Sequence, residues 1–307
     1  MAGTFTHFMV CHMAKRDALL DSLLRGILNA NTGFLLLGAV SPDLPYLAPH
    51  GTINWANVMH YEKTNGIVIT GHDVLKSEWQ SRTPVHEAIL AWLMGYVSHL
   101  IADAAVHPVV QEIVGPYSDE TKKEHRICEM TEDALIFKEC TGLEIRGAEF
   151  ADTLQNCGNS FHYDGVMAFW KGNLMANFFG KDEEPHPKLW YEAYSRLIDV
   201  SDGGSLAYAC RHIGFESFVY KSTGEIVNHD LVAYERYYLR VKLPGGTTIV
   251  SFKDVFFDKA VKNVVIAWKK FYDGLTSYAE VASYVKDCDL DTGVVMDSPQ
   301  KEVYYWA

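Results

Sequence analysis

The chain has 307 residues, 27 basic and 39 acidic side chains, a formal charge of −12 and 48% hydrophobic residues. That is enough apolar material for one large domain or two ordinary ones, and the acidic balance leaves no broad basic footprint for non-specific nucleic-acid binding. The six cysteines, at 11, 128, 140, 157, 210 and 288, form no CxxC pair and read as mostly buried thiols in a reducing compartment. Met1-Ala2-Gly3-Thr4-Phe5-Thr6-His7 has no basic region followed by an apolar run and a small-residue cleavage site. A cytoplasmic location is therefore expected, unless the sequence is a mature form whose secretory signal was trimmed.

Thr6 is placed to cap a first helix from about His7 to Ala30, with Asn31 and Gly33 at its end. The apolar segment Phe34–Val40 runs into Ser41-Pro42-Asp43-Leu44-Pro45, where two prolines make a stiff loop around a carboxylate. Residues 52–65 read as a short helix carrying His60. A central helix is predicted from about Pro84 to His107, with Pro108 discouraging its continuation. Its stretch from Ala88 to Val106 is apolar enough to raise a transmembrane reading. His99 and Asp103 lie inside that stretch, and an intramembrane carboxylate is costly, so a buried core helix is the better expectation. Ser118-Asp119-Glu120 opens the next helix, which ends near Thr141-Gly142. Weaker helical patterns follow at 164–179 and 187–200, then a loop at Ser201-Asp202-Gly203-Gly204-Ser205. Tyr234–Leu243 and Thr247–Phe252 alternate like strands around Pro244-Gly245-Gly246, and Asp254 to about Tyr284 returns to helix. The expected fold is mostly α: one multi-helix domain over 1–307 with a hairpin embellishment at about 234–253.

His99, Asp103 and His107 follow one another at four-residue intervals. On a helix they share an arc of about 80°, the two histidines lying about 12 Å apart along the axis. Metal–ligand bonds are only ~2.0–2.2 Å long, so both imidazoles cannot easily hold one ion, whereas the carboxylate midway can serve two. The spacing therefore points to a multinuclear metal site. Further ligand types accumulate in the same half of the chain: His7, Asp43, His60, and the i, i+4 pair His125 and Glu129.

Thr6-His7, Ser41-Pro42-Asp43, His60, Ser98-His99-(x3)-Asp103-(x3)-His107 and His125-(x3)-Glu129 together resemble the zinc-dependent phospholipase C family in order and spacing over roughly residues 2–130. Its superfamily includes single-strand zinc nucleases and the catalytic domain of glycosylphosphatidylinositol phospholipase D. Asp289-Leu290-Asp291-Thr292-Gly293 is similar to the end of bacterial members. The resemblance implies a phospholipase C/zinc-nuclease-like helical domain with three zinc ions. Asp43, His60, His99 and Asp103 would hold the first, and His107, His125 and Glu129 the second. His7 and Asp103 would hold the third, with the amine and carbonyl of Ala2 after loss of Met1. The Asp-(x3)-His spacing is closer to the phospholipase D branch, while Glu129 in place of aspartate leans toward phospholipase C over the nucleases.

Such a cluster polarises a phosphoryl oxygen, lowers the pKa of a bound water and stabilises a leaving alkoxide, the needs of phosphodiester hydrolysis. Asp43 is the candidate catalytic residue, orienting or deprotonating the water, or else serves purely as a zinc ligand. The leading expectation is a phospholipase C acting on a glycerophospholipid, with transient membrane-surface contact. The alternatives are a zinc nuclease or other phosphodiesterase, and a non-catalytic helical protein stapled by zinc. Tyr46, Trp55, Tyr61 and Tyr117 could line a headgroup pocket or simply pack in the core. Ser98 and Cys128 read as packing residues, and His162, His186, His212 and His229 as surface or core histidines.

Overall fold

The computed structural model describes residues 3–48, 53–145, 153–154, 156–181, 183–201, 220–242, 249–278, 280–299 and 301–306. The predicted first helix is two. Helix α1 spans Thr4–Arg16 and α2 spans Ser22–Ala30, because the Asp21 carboxylate accepts from the amides of Leu23 and Leu24 and starts a new helix. Phe34–Val40, left unassigned by pattern, lies in α3 (Thr32–Val40), where every one of those residues is buried. The proline-framed stretch is helical as well: a 3₁₀ turn at Ser41–Asp43 leads into a single turn, α4 (Leu44–Leu47). Each proline sits at an early helical position, where its missing N–H costs nothing. Then come α5 (Ile53–Tyr61) and α6 (Gly66–Glu78).

Helix α7 runs 31 residues, Pro84–Val114, straight through Pro108. Proline deprives a helix of one donor and crowds the carbonyl four residues back. Here the neighbouring carbonyl of Ala105 accepts from the Trp306 indole at 2.7 Å. Gly293 packs directly over the carbonyl of Ala104, where any Cβ would collide. Helix α7 is long and apolar enough to cross a bilayer, yet its apolar window is wholly buried inside the fold. It is the axis of the molecule, packed along α3 most extensively and also touching α1, α6 and three of the later helices. The later helices are α8 (Lys122–Thr141), α9 (Tyr163–Asn177), α10 (Pro187–Ser201), α11 (Thr223–His229), α12 (Leu231–Tyr234) and α13 (Asp258–Gly274), of which α8, α9 and α13 pack against α7.

The hairpin is far smaller than expected. Strand β1 (Val241–Lys242) pairs antiparallel with β2 (Ile249–Val250), Val241 opposite Val250. The flanking stretches Glu235–Leu239 and Phe252–Phe257 are wound as π-helix. Tyr237 and Tyr238 are both buried, as are Phe256 and Phe257, and a strand sends adjacent side chains to opposite faces. The turn Pro244-Gly245-Gly246 and residues 202–205 of the predicted loop lie outside the described residues. The last predicted helix is confined to α13, ending at Gly274 rather than near Tyr284.

Thr6 does not cap α1; it lies inside the helix, fully buried. The cap is Asp133 of α8, whose carboxylate accepts from the amides of Phe5 (3.1 Å) and Thr6 (2.6 Å) and from the Tyr220 hydroxyl (2.6 Å). Gly3 abuts the same carboxylate so closely that a Cβ there would overlap it. Asp133 thus satisfies amides that α1 cannot satisfy itself and fixes the helix bearing His7. Asp133→Ala is expected to destabilise the protein by about 2–3 kcal/mol, the loss of a cap plus an orphaned hydroxyl. Thermal melting measures this, and an unchanged melting temperature refutes the capping role.

Candidate metal centre

Helix α7 supplies His99, Asp103 and His107, all on one buried face. Asp43 is brought to them by the 3₁₀ turn after α3, whose Ser41 hydroxyl donates to Leu37 O (2.8 Å) and accepts from the Trp92 indole of α7 (2.9 Å). His60 arrives at the end of α5, and His7 from α1, its ring stacked on His99 with centroids 4.4 Å apart.

These residues meet around Asp103. Its Oδ2 lies 3.2 Å from His99 Nε2 and 3.7 Å from His60 Nε2, while Oδ1 lies 3.2 Å from His7 Nε2 and 3.5 Å from His107 Nε2. The two carboxylate oxygens therefore face different pairs of imidazoles. Asp43 Oδ1 completes the Oδ2 side, 3.1 Å from His60 Nε2 and 4.0 Å from His99 Nε2. One ligand atom each from Asp43, His60, His99 and Asp103 lies within 4.8 Å of the others, the one such group among the described residues.

The donor set fits a zinc ion. Zinc bonds of ~2.0–2.1 Å in a tetrahedron place neighbouring ligand atoms about 3.3–3.4 Å apart, close to the separations around Oδ2. Proton placement agrees. Nδ1 of His60 donates to Ala56 O at 2.8 Å and Nδ1 of His99 to Ala39 O at 3.0 Å, so in each neutral ring Nε2 carries a lone pair directed inward. Both nitrogens of His7 and the Nε2 atoms of His99 and His107 are buried without a hydrogen-bond partner, although carboxylate oxygens stand close by. A cation satisfies such atoms. Burial alone would push both carboxyls up, but His99 and His60 hold Asp43 below the usual range, and His107, His99 and His7 hold Asp103 well below it.

The second expected ligand set is more open. His107 and His125 line one small pocket with Val110, Gln111, Tyr117 and Asp291. His125 donates from Nε2 to Gly115 O at 2.7 Å, leaving a lone pair on Nδ1. Glu129 is buried one helical turn further along α8. Ala2, expected in the third set, lies outside the described residues. Tyr46, Tyr61 and Tyr117 do stand beside the centre, with Tyr46 and Tyr61 rings 5.5 and 6.0 Å from His60 and Tyr117 5.3 Å from His125. Trp55 is a core residue against Phe178. Ser98 and Cys128 pack: the Cys11 thiol donates to Ser98 and the Cys128 thiol to Glu132. Cys11, Cys128, Cys140, Cys157 and Cys288 are free thiols, all buried except the half-buried Cys140.

Sequence reasoning assigned no role to Asp291, whose Oδ1 accepts from His107 Nδ1 at 3.1 Å and whose Oδ2 accepts from the Tyr61 hydroxyl at 2.9 Å. The Asp-Leu-Asp-Thr-Gly run was visible, but nothing in local spacing ties it to a residue 184 positions away.

A helical scaffold that gathers buried imidazoles and carboxylates, with ring protons turned outward, is that of a metal centre. The family model for zinc-dependent phospholipase C matches residues 6–179, more than half of the chain, and the protein belongs to that family. No curated protein and no solved structure matches it significantly.

Proposed function

We propose that the protein is a zinc-dependent phospholipase C, hydrolysing a glycerophospholipid to diacylglycerol and a phosphorylated headgroup. The observation that carries the reading is the division of Asp103 between two pairs of imidazoles, within a chain of this family. Asp43, His60, His99 and Asp103 would hold one ion, His107, His125 and Glu129 a second, and His7 with Asp103 and Ala2 a third. Zinc bound there polarises phosphoryl oxygens, lowers the pKa of water and stabilises a leaving alkoxide.

The chain's own groups do the rest. Asp43 turns Oδ1 toward His60 and His99, leaving Oδ2 to orient the attacking water and take its proton. The outward hydrogen bonds of His60 and His99 lock their rings, so the lone pairs keep their aim without reorganisation during turnover. Tyr117, largely exposed at the pocket that His107 and His125 line, is placed to meet the headgroup.

The test is metal analysis followed by a substrate comparison. About two to three zinc ions per chain are expected on the multinuclear logic, with hydrolysis of phosphatidylcholine micelles exceeding that of single-stranded oligonucleotides. Less than one zinc per chain refutes the centre. Preferential cleavage of oligonucleotides refutes the lipid substrate and keeps the phosphodiesterase.

A further inference from the structure

His60, His99 and His125 each direct one ring nitrogen to a backbone carbonyl. His107 instead directs Nδ1 to a carboxylate, Asp291 Oδ1 at 3.1 Å. That carboxylate comes from a C-terminal loop, outside the family-matched residues 6–179.

The loop is built to hold it there. Asp289 Oδ1 accepts from the amides of Asp291 (3.0 Å) and Thr292 (2.9 Å), fixing the turn. The Leu290 amide donates to His60 O at 3.1 Å, and Asp287 Oδ1 accepts from the Thr64 amide at 2.8 Å, so the loop is tied to the end of α5 and the residues after it. Gly293, at φ +65°, lies so close to Ala104 O of α7 that no side chain fits. Asp291 Oδ1 accepts from His107 and Oδ2 from Tyr61, so its carboxylate is held between the two side chains.

We propose that Asp291 is a positioning residue of the metal centre. Its carboxylate keeps the proton of His107 on Nδ1 and turns the Nε2 lone pair inward, 3.5 Å from Asp103 Oδ1, toward the ion that His107 would hold with His125 and Glu129. A carboxylate acceptor also makes the imidazole a stronger donor than a carbonyl does, so the ion on His107 is tuned separately from the one between Asp43, His60 and His99. Residues 287–293 thus belong to the site through His107.

The inference rests on the zinc reading above, and its test separates the two. Zinc is titrated out of the full-length protein with a chromophoric chelator, for the parent, Asp291→Ala and Asp291→Asn, with melting temperatures recorded alongside. In Asp291→Ala one zinc per chain is expected to bind about 10–100-fold more weakly, the usual effect of losing such a partner, while the remaining zinc is held as in the parent. Asp291→Asn retains the turn and an acceptor oxygen without the charge, and is expected to fall between them. It also carries the test if the alanine variant does not fold. Parental zinc affinities in both variants, even with a lowered melting temperature, would make Asp291 a loop anchor and overturn the proposal. A parent that binds no zinc overturns the functional reading and this inference with it.

Discussion

Asp103→Asn is expected to lose zinc and hydrolysis together. The substitution keeps the size and shape of the side chain but leaves one oxygen where two are needed. Oδ2 faces His60 and His99, Oδ1 faces His7 and His107, and an amide nitrogen cannot replace either toward a cation. The residue is fully buried, so water does not fill the gap. Removing one member of a buried charged set costs about 3–5 kcal/mol, or roughly 10²–10⁴-fold in zinc affinity. Elemental analysis after dialysis, with a phosphodiesterase assay on the same sample, measures both losses. Full zinc content with parental turnover would refute the bridging geometry.

Gly95→Ala is expected to be strongly destabilising through a single added methyl. A Cβ at Gly95 would fall 2.0 Å from Leu35 O, and one at Gly38 would fall 1.9 Å from Trp92 O. Both obstacles are backbone, so no rotamer change relieves them, and α3 and α7 must part. Their close approach is also what puts His99 Nδ1 within 3.0 Å of Ala39 O and the Trp92 indole within 2.9 Å of Ser41. Overpacking of this kind costs about 3 kcal/mol or more, a fall in melting temperature of about 5 °C or more for a chain of this size. Zinc affinity is expected to fall with it, because the aim of His99 and the placing of Asp43 depend on the same contact. Gly26→Ala is the control: its added Cβ meets nothing within 4 Å, and it is expected to melt no lower than the parent. Equal melting of the Gly95 variant and this control would refute the close-packing argument.

The residues of α7 were legible in the sequence because one rigid helix fixes their mutual geometry, and His125 and Glu129 share that advantage on α8. His7, Asp43 and His60 were found only through their order along the chain, since their meeting depends on three separate helix packings. Helix α6 was overlooked for a related reason. Gly66-Ile67-Val68-Ile69-Thr70-Gly71 is rich in β-branched residues and glycine, poor helix formers in isolation. In the fold, Gly71 makes room for Leu93 and Phe169, and packing overrides propensity. The over-long hairpin is the converse case: Tyr234–Leu239 alternates like a strand, yet Tyr237 and Tyr238 are both needed in the core. Asp291 lay in a run that stood out, Asp289 to Gly293, but nothing local tied it to His107.

Pro108 takes on another meaning in the order of synthesis. The carbonyls it disturbs in α7 are covered by Gly293 and Trp306, and the same stretch of chain delivers the acceptor for His107. That acceptor lies 184 residues downstream of His107, which at ~5–20 residues per second is a delay of roughly 10–40 s on the ribosome. The imidazoles through His125 are all translated before it. A nascent chain thus carries every imidazole of the centre before the acceptor that orients one of them has been made.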